Sequence, residues 1–177
     1  MVDEGFAAAS ASRIAARAGV TWGVIQYHFG DRAGLLSAVV HAGYEHFRAC
    51  LDEAGIPEGP TRERVSAIVD AGWEAYGSPL GRAAFEILVN TRASRASDPD
   101  HAGELVELAR GRNRIGEQLL ADDRDFRSEL PIDQLLWGAL RGFAMTMMFN
   151  PGEHSFAAER AALVEVLTGH LDGYSPR

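Results

Sequence analysis

The sequence predicts an all-α protein, with an N-terminal helix-turn-helix domain followed by an antiparallel helical domain. Three observations predict it. Apolar residues recur at steps of three and four along most of the 177-residue chain, the period of a helix face. Ser, Thr, Asp or Pro precedes these stripes, and glycine or proline follows them, as at helix starts and stops. No segment alternates polar and apolar residues for long enough to make a strand.

Each element can be justified in turn. Ser10 opens a short alanine-rich helix that ends at Ala18-Gly19-Val20, and Thr21 caps a second that stops at Gly30. Ile14, Ala15, Val20, Ile25 and Phe29 are the apolar faces expected to hold these two helices across one another. Asp31 caps a helix from Arg32 to Leu51, with Leu35, Leu36, Val39, Val40, Tyr44, Phe47 and Leu51 on its stripe. After the break Gly55-Ile56-Pro57-Glu58-Gly59-Pro60, Thr61 is the expected cap of a helix carrying Val65, Ile68, Val69, Trp73 and Tyr76. Ser78-Pro79 restarts a helix through Leu80, Ala84, Ile87, Leu88 and Thr91, and Asp98-Pro99 opens one through Leu105, Leu108, Ile115 and Leu119. Pro131 begins a helix to about Phe149, and Ser155 caps the last, with Phe156, Leu163, Val164, Leu167 and Leu171 on one face.

Composition removes several function classes. All 17 basic residues are arginine, so there is no lysine for a P-loop, a kinase nucleotide site or a pyridoxal Schiff base. The single cysteine, Cys50, excludes an intramolecular disulfide and a CxxC site. The opening Met1-Val2-Asp3-Glu4 is acidic, no apolar signal segment follows, and no uncharged run approaches the roughly 18 residues of a membrane span. These readings predict a cytoplasmic protein with no membrane partner. The net charge of −8 is unevenly spread: residues 10–32 carry +2 and residues 33–177 carry −8. A positive segment on an acidic body is the balance expected where one end meets a polyanion.

Residues 10–36 carry the chemistry. Two short helices joined at Gly19 form a helix-turn-helix whose second helix can enter a major groove. The run Ile14-Ala15-x-x-Ala18-Gly19-Val20, then Thr21-x-Gly23-x-Ile25-x-Tyr27-His28-Phe29, an acidic cap, a basic residue and Leu35-Leu36 resembles the DNA-binding domain of the TetR family of transcriptional regulators. The resemblance covers about residues 5–40. It implies a ligand-responsive regulator, a repressor, that binds double-stranded DNA as a homodimer on a near-palindromic operator. It further implies a DNA-binding domain over 1–47 and a helical ligand-binding and dimerisation domain over 48–177, with no cofactor, no metal and no catalytic residue.

The resemblance also implies roles by position. Thr21 caps the recognition helix and meets a phosphate; Gly23 permits close backbone approach; Gln26 can pair with adenine; Tyr27 and His28 contact phosphates. Arg32 stands where the family usually has lysine and would neutralise a phosphate, while Ser10 and Ser12 bond the other groove edge. Two positions depart from the pattern. Trp22 replaces a common lysine with a ring that could press on a thymine methyl or pack on the domain itself, and Gln26 stands where an aromatic is frequent. Both bear on the operator sequence.

In the second domain, Trp73, Tyr76, Phe85, Trp137, Phe143, Met145 and Met147 are either core or the lining of a pocket for a small, mostly apolar effector. The last two helices are expected to pair two copies as a four-helix bundle through Leu136, Leu140, Leu163 and Leu167. Other candidates read as structural. His41 and Glu45 lack a third metal ligand, Arg110 to Arg114 forms a salt-bridged exposed face, and Asp122, Asp123 and Asp125 sit in a polar loop. No nucleophile–base pairing signals an enzyme. Family members open with a helix beneath the helix-turn-helix, of which residues 2–6 supply only the last turn. The chain therefore reads as about one helix short, which sustains an alternative: a dimeric helical ligand-binding protein with impaired DNA binding.

Overall fold

The computed structural model describes residues 6, 9–92, 132–149 and 155–173, and among these every regular element is helical. In chain order they are α1 (Ala11–Ala18), α2 (Trp22–Phe29), α3 (Arg32–Glu53), α4 (Thr61–Gly77), α5 (Pro79–Asn90), α6 (Ile132–Phe149) and α7 (Ala157–Gly173). The stripe expected through Leu105 to Leu119, the arginine cluster from Arg110 to Arg114 and the acidic residues Asp122, Asp123 and Asp125 lie outside the described residues.

Local chemistry sets most boundaries. The Ser10 hydroxyl accepts from the Arg13 amide at the start of α1, and Asp31 Oδ1 accepts from the Gly34 amide at 2.8 Å at the start of α3. Gly19 ends α1 at φ 68°, the left-handed conformation that a side chain disfavours, and this turn sends the chain into α2. Ser78 accepts from the Gly81 amide at 2.9 Å with Pro79 at the first turn of α5. At α4 the cap shifts: Pro60 occupies the N-cap position and Thr61 is the first helical residue. Proline supplies no side-chain acceptor, and the amides of Glu63 and Arg64 turn back to its carbonyl.

The main core is shared by α3, α4, α6 and α7. Ile68, Leu136, Trp137, Leu140 and Leu167 are fully enclosed, with Phe47, Leu51, Val65 and Val69 around them. The helix α4 packs Gly72 against α6, where an added Cβ would lie 2.8 Å from Leu140 Cδ1 and 2.9 Å from Trp137 Cζ3. Any larger residue would require Leu140 and the enclosed Trp137 ring to shift. Arg160 of α7 pairs with Asp70 of α4 at 2.6 Å and lies over the Trp73 ring, closing the α4–α7 seam at its surface.

Two separate, smaller clusters serve the N-terminal part. Ala15, Ile25 and Leu35 are the buried centre of the helix-turn-helix, while Leu36, Val40 and Ile87 join α3 to α5 with Phe6 packed against them. The helix α3 therefore serves both parts: Leu35 closes the helix-turn-helix and Phe47 and Leu51 enter the main core. Positions 47 and 48 lie within this continuous helix.

The interface assigned from sequence to Leu136, Leu140, Leu163 and Leu167 is corrected here. These residues are 0 %, 0 %, 8 % and 0 % exposed in the single chain, so they belong to its own core and have no surface to offer a second copy. The large apolar residues that α6 and α7 do expose are Leu135, Met145, Phe149 and Val166. No described helix is long and apolar enough to cross a membrane.

Candidate nucleic-acid interface

The helix α2 packs one face inward and leaves the other to solvent. At 3.6 residues per turn, Trp22, Ile25 and Phe29 share a side. Ile25 is buried on Ala15 and Leu35, and Trp22 is half-buried against the same cluster. Gly23 and Tyr27 point nearly opposite to Ile25, with Val24 on one flank and Gln26 on the other. All four are exposed, Tyr27 by 86 %. A folded helix thus presents a small residue, an amide, a phenol and an isopropyl group on one open face.

The other expected contact residues fall around this face. The Thr21 hydroxyl makes no capping hydrogen bond, although the residue holds the N-cap position of α2; its carbonyl receives the amides of Val24 and Ile25. An exposed hydroxyl beside a helix N-terminus is suited to an anion. His28 is exposed and meets the Tyr27 ring edge-on at 5.2 Å, so the two rings hold each other's orientation. Ser10 and Ser12 are within 3.2 Å of each other through their hydroxyl oxygens, and Ser10 also serves as the α1 cap.

Arg32 is more committed than its position in the motif suggested. Its Nη2 donates to the Ala9 carbonyl at 3.4 Å, and its guanidinium carbon lies 5.0 Å from the centre of the Phe6 ring. The side chain ties the start of α3 to the N-terminal segment. Among the described residues this bond uses one of the guanidinium's five N–H donors.

Several sequence readings change. Trp22 packs against the Ala15–Ile25–Leu35 cluster and is half-buried, so its ring is shared between the helix-turn-helix core and the surface. Phe29, the last residue of α2, and Val20, in the turn between α1 and α2, both read as core, are 40 % and 39 % exposed. Val24 was missed; an apolar residue in the motif's variable position gives no signal until the helix is oriented.

In the helical domain the expected effector residues separate into different environments. Tyr76 and Trp137 flank Phe47, at ring distances of 5.5 Å and 5.0 Å. Trp73 and Phe143 flank Phe156, at 5.8 Å and 5.2 Å. Phe85 and Met147 are half-buried outside these two groups, and Met145 faces outward at 39 % exposed. Trp137 is fully enclosed, with no hydrogen-bond partner for Nε1 among the described residues. Cys50 lies 3.6 Å from His46 Nε2 on the same helix; burial first, then the charges of Glu74 and Glu53, push its thiol above its ordinary pKa. A thiol held in its protonated form is a poor nucleophile.

Comparison with known proteins agrees with the geometry at the N-terminus. Residues 1–39 match the family described as bacterial regulatory proteins, tetR family. The chain is also similar to the HTH-type transcriptional regulator BetI of Escherichia coli O17:K52:H18 (strain UMN026 / ExPEC), 37 % identical over 68 residues. That match spans 37 % of this chain and 35 % of the relative, about a third of each. Over this N-terminal helix-turn-helix the chain is similar to the tetR family of bacterial regulatory proteins, and it spans about a third of the length of the curated relative it matches.

Proposed function

We propose that the protein is a DNA-binding transcriptional regulator, a repressor that acts as a homodimer and leaves its operator when a small hydrophobic effector binds. The observation that carries this reading is the open face of α2, where Gly23, Gln26 and Tyr27 are solvent-exposed while Ile25 and Trp22 anchor the helix. Such a helix can lie in a major groove, with Thr21, Tyr27, His28 and Arg32 toward phosphates and Gln26 toward a base edge.

A second copy would pair on the outer faces of α6 and α7. Leu135, Gly138, Gly142, Met145 and Phe149 recur at steps of three and four on α6, and Val166 and Gly169 lie outward on α7, all exposed. Small residues between large apolar ones let two helix pairs approach closely, in a four-helix arrangement that carries two recognition helices to successive grooves. The effector would enter between the helices that bear the two aromatic groups. Its binding would favour a subunit arrangement in which the half-site spacing no longer fits, a coupling of about 1–3 kcal/mol.

The test is direct binding of the full chain to duplex DNA enriched from a random pool. A dimer on a near-palindromic site is expected, with affinity falling steeply as salt rises. Absence of any enriched duplex, or recovery of a site read by one subunit only, overturns the reading. Thermal-shift screening tests the effector class: stabilisation by polar metabolites alone would overturn the hydrophobic assignment.

A further inference from the structure

We infer that Val24 reads a base: its isopropyl group packs on the 5-methyl of a thymine in the major groove. The inference rests on the DNA-binding reading above and adds a specificity residue to it. Three observations carry it. First, Val24 is 45 % exposed on the open side of α2, although it sits one residue from the buried Ile25. Second, Trp22, the apolar candidate two residues earlier, packs against the Ala15–Ile25–Leu35 cluster and is half-buried, on the side of the helix away from Val24. Third, the neighbouring Gly23 stands in open space: a Cβ there would meet nothing nearer than Thr21 Oγ1 at 3.8 Å. The backbone can therefore come closest to a partner beside Val24.

The chemistry then narrows the partner. An isopropyl group neither donates nor accepts a hydrogen bond. Among the base edges of the major groove, only thymine offers a matching apolar group, its methyl. The surroundings of Val24 are those of a groove-facing helix: Gln26 on the opposite flank, Tyr27 and His28 one turn on, and the Thr21 hydroxyl at the helix start. Gln26 reads by hydrogen bonds and Val24 by shape, so the two flanks of the helix read different base pairs by different forces.

The experiment removes only the methyl. A duplex enriched from random DNA by the full chain is rebuilt with deoxyuridine in place of each thymidine in turn, and affinities are measured for the original chain, Val24→Ala and Val24→Ile. At one thymine per half-site, uracil is expected to weaken binding of the original chain about four-fold, the worth of burying one methyl-sized group. Val24→Ala should erase that penalty at this position alone, and Val24→Ile should keep it. Alanine is a better helix former than valine, so Val24→Ala keeps the helix. If site-specific binding is present and no uracil penalty depends on residue 24, the inference is overturned and the DNA-binding reading stands. If no duplex is enriched at all, both fall together.

Discussion

The helix-turn-helix and the helical body are built from the same kind of element but use their apolar residues in opposite ways. Among the described residues of the body, fourteen buried ones share one core, and Ile68, Leu136, Trp137, Leu140 and Leu167 are fully enclosed. In the helix-turn-helix three residues are buried, while Val20, Val24, Tyr27 and Phe29 remain exposed. Each of α1 and α2 is eight residues long, too short to be stable alone, so this module depends on Leu35 at the root of α3. The comparison teaches that the helix-turn-helix is thinly held and largely outward-facing, and that one continuous helix connects it to the larger core.

The sharpest way to break the contrast is at the base. Trp137→Ala should destabilise the whole chain by about 3–5 kcal/mol, because it empties a fully enclosed ring site against Phe47 and Gly72. A shift of the denaturant midpoint read by helicity checks it, and a change below about 1 kcal/mol would show that the core repacks freely. In the helix-turn-helix, Ile25→Ala should cost about 2–3 kcal/mol but act locally. Amides of α1 and α2 should then exchange faster while those of α4 and α6 keep their protection; equal acceleration in both would mean that the two parts unfold as one.

Smaller effects probe the outward surfaces. Phe149→Asp, at a residue 71 % exposed, should weaken self-association at least ten-fold by sedimentation while leaving the monomer fold in place. An unchanged association constant would move the dimer face elsewhere. The mildest expected change is at Arg32. Arg32→Ala should lower affinity for all duplexes and flatten the log–log salt dependence by about one unit for each phosphate left without its arginine. Arg32→Lys should keep the salt dependence yet lose the stacking on Phe6, and with it some order in the N-terminal segment. A salt slope unaltered in Arg32→Ala would confine this residue to its Ala9 and Phe6 interactions.

How much of this was legible in the sequence differs between the two regions for a physical reason. The helix-turn-helix is a local motif, so caps at Ser10 and Asp31, the turn at Gly19 and the buried position of Ile25 follow from residues close along the chain. Helix boundaries elsewhere were nearly as clear, with Ser78-Pro79 and Asp31 acting through bonds two or three residues away. Orientation was not. The α6 segment is apolar on nearly every side, so its periodicity cannot say which leucines face the chain's own core and which face outward. Leu136 and Leu140 went inward, Leu135 and Phe149 outward, and that division was made by packing against α4 at Gly72 and against α7.

The same limit applied within the motif. Trp22 and Val24 are two residues apart and both apolar, and sequence favoured the larger ring as the contact. Docking α2 on Ala15 and Leu35 turned Trp22 inward and Val24 outward. The sequence by itself determined that the described residues are helical, within a residue or two where their helices begin, and which segment forms the helix-turn-helix, because caps, turns and periodicity are short-range properties. Only the tertiary structure decided which side of each helix is surface, because that depends on the face its neighbours cover.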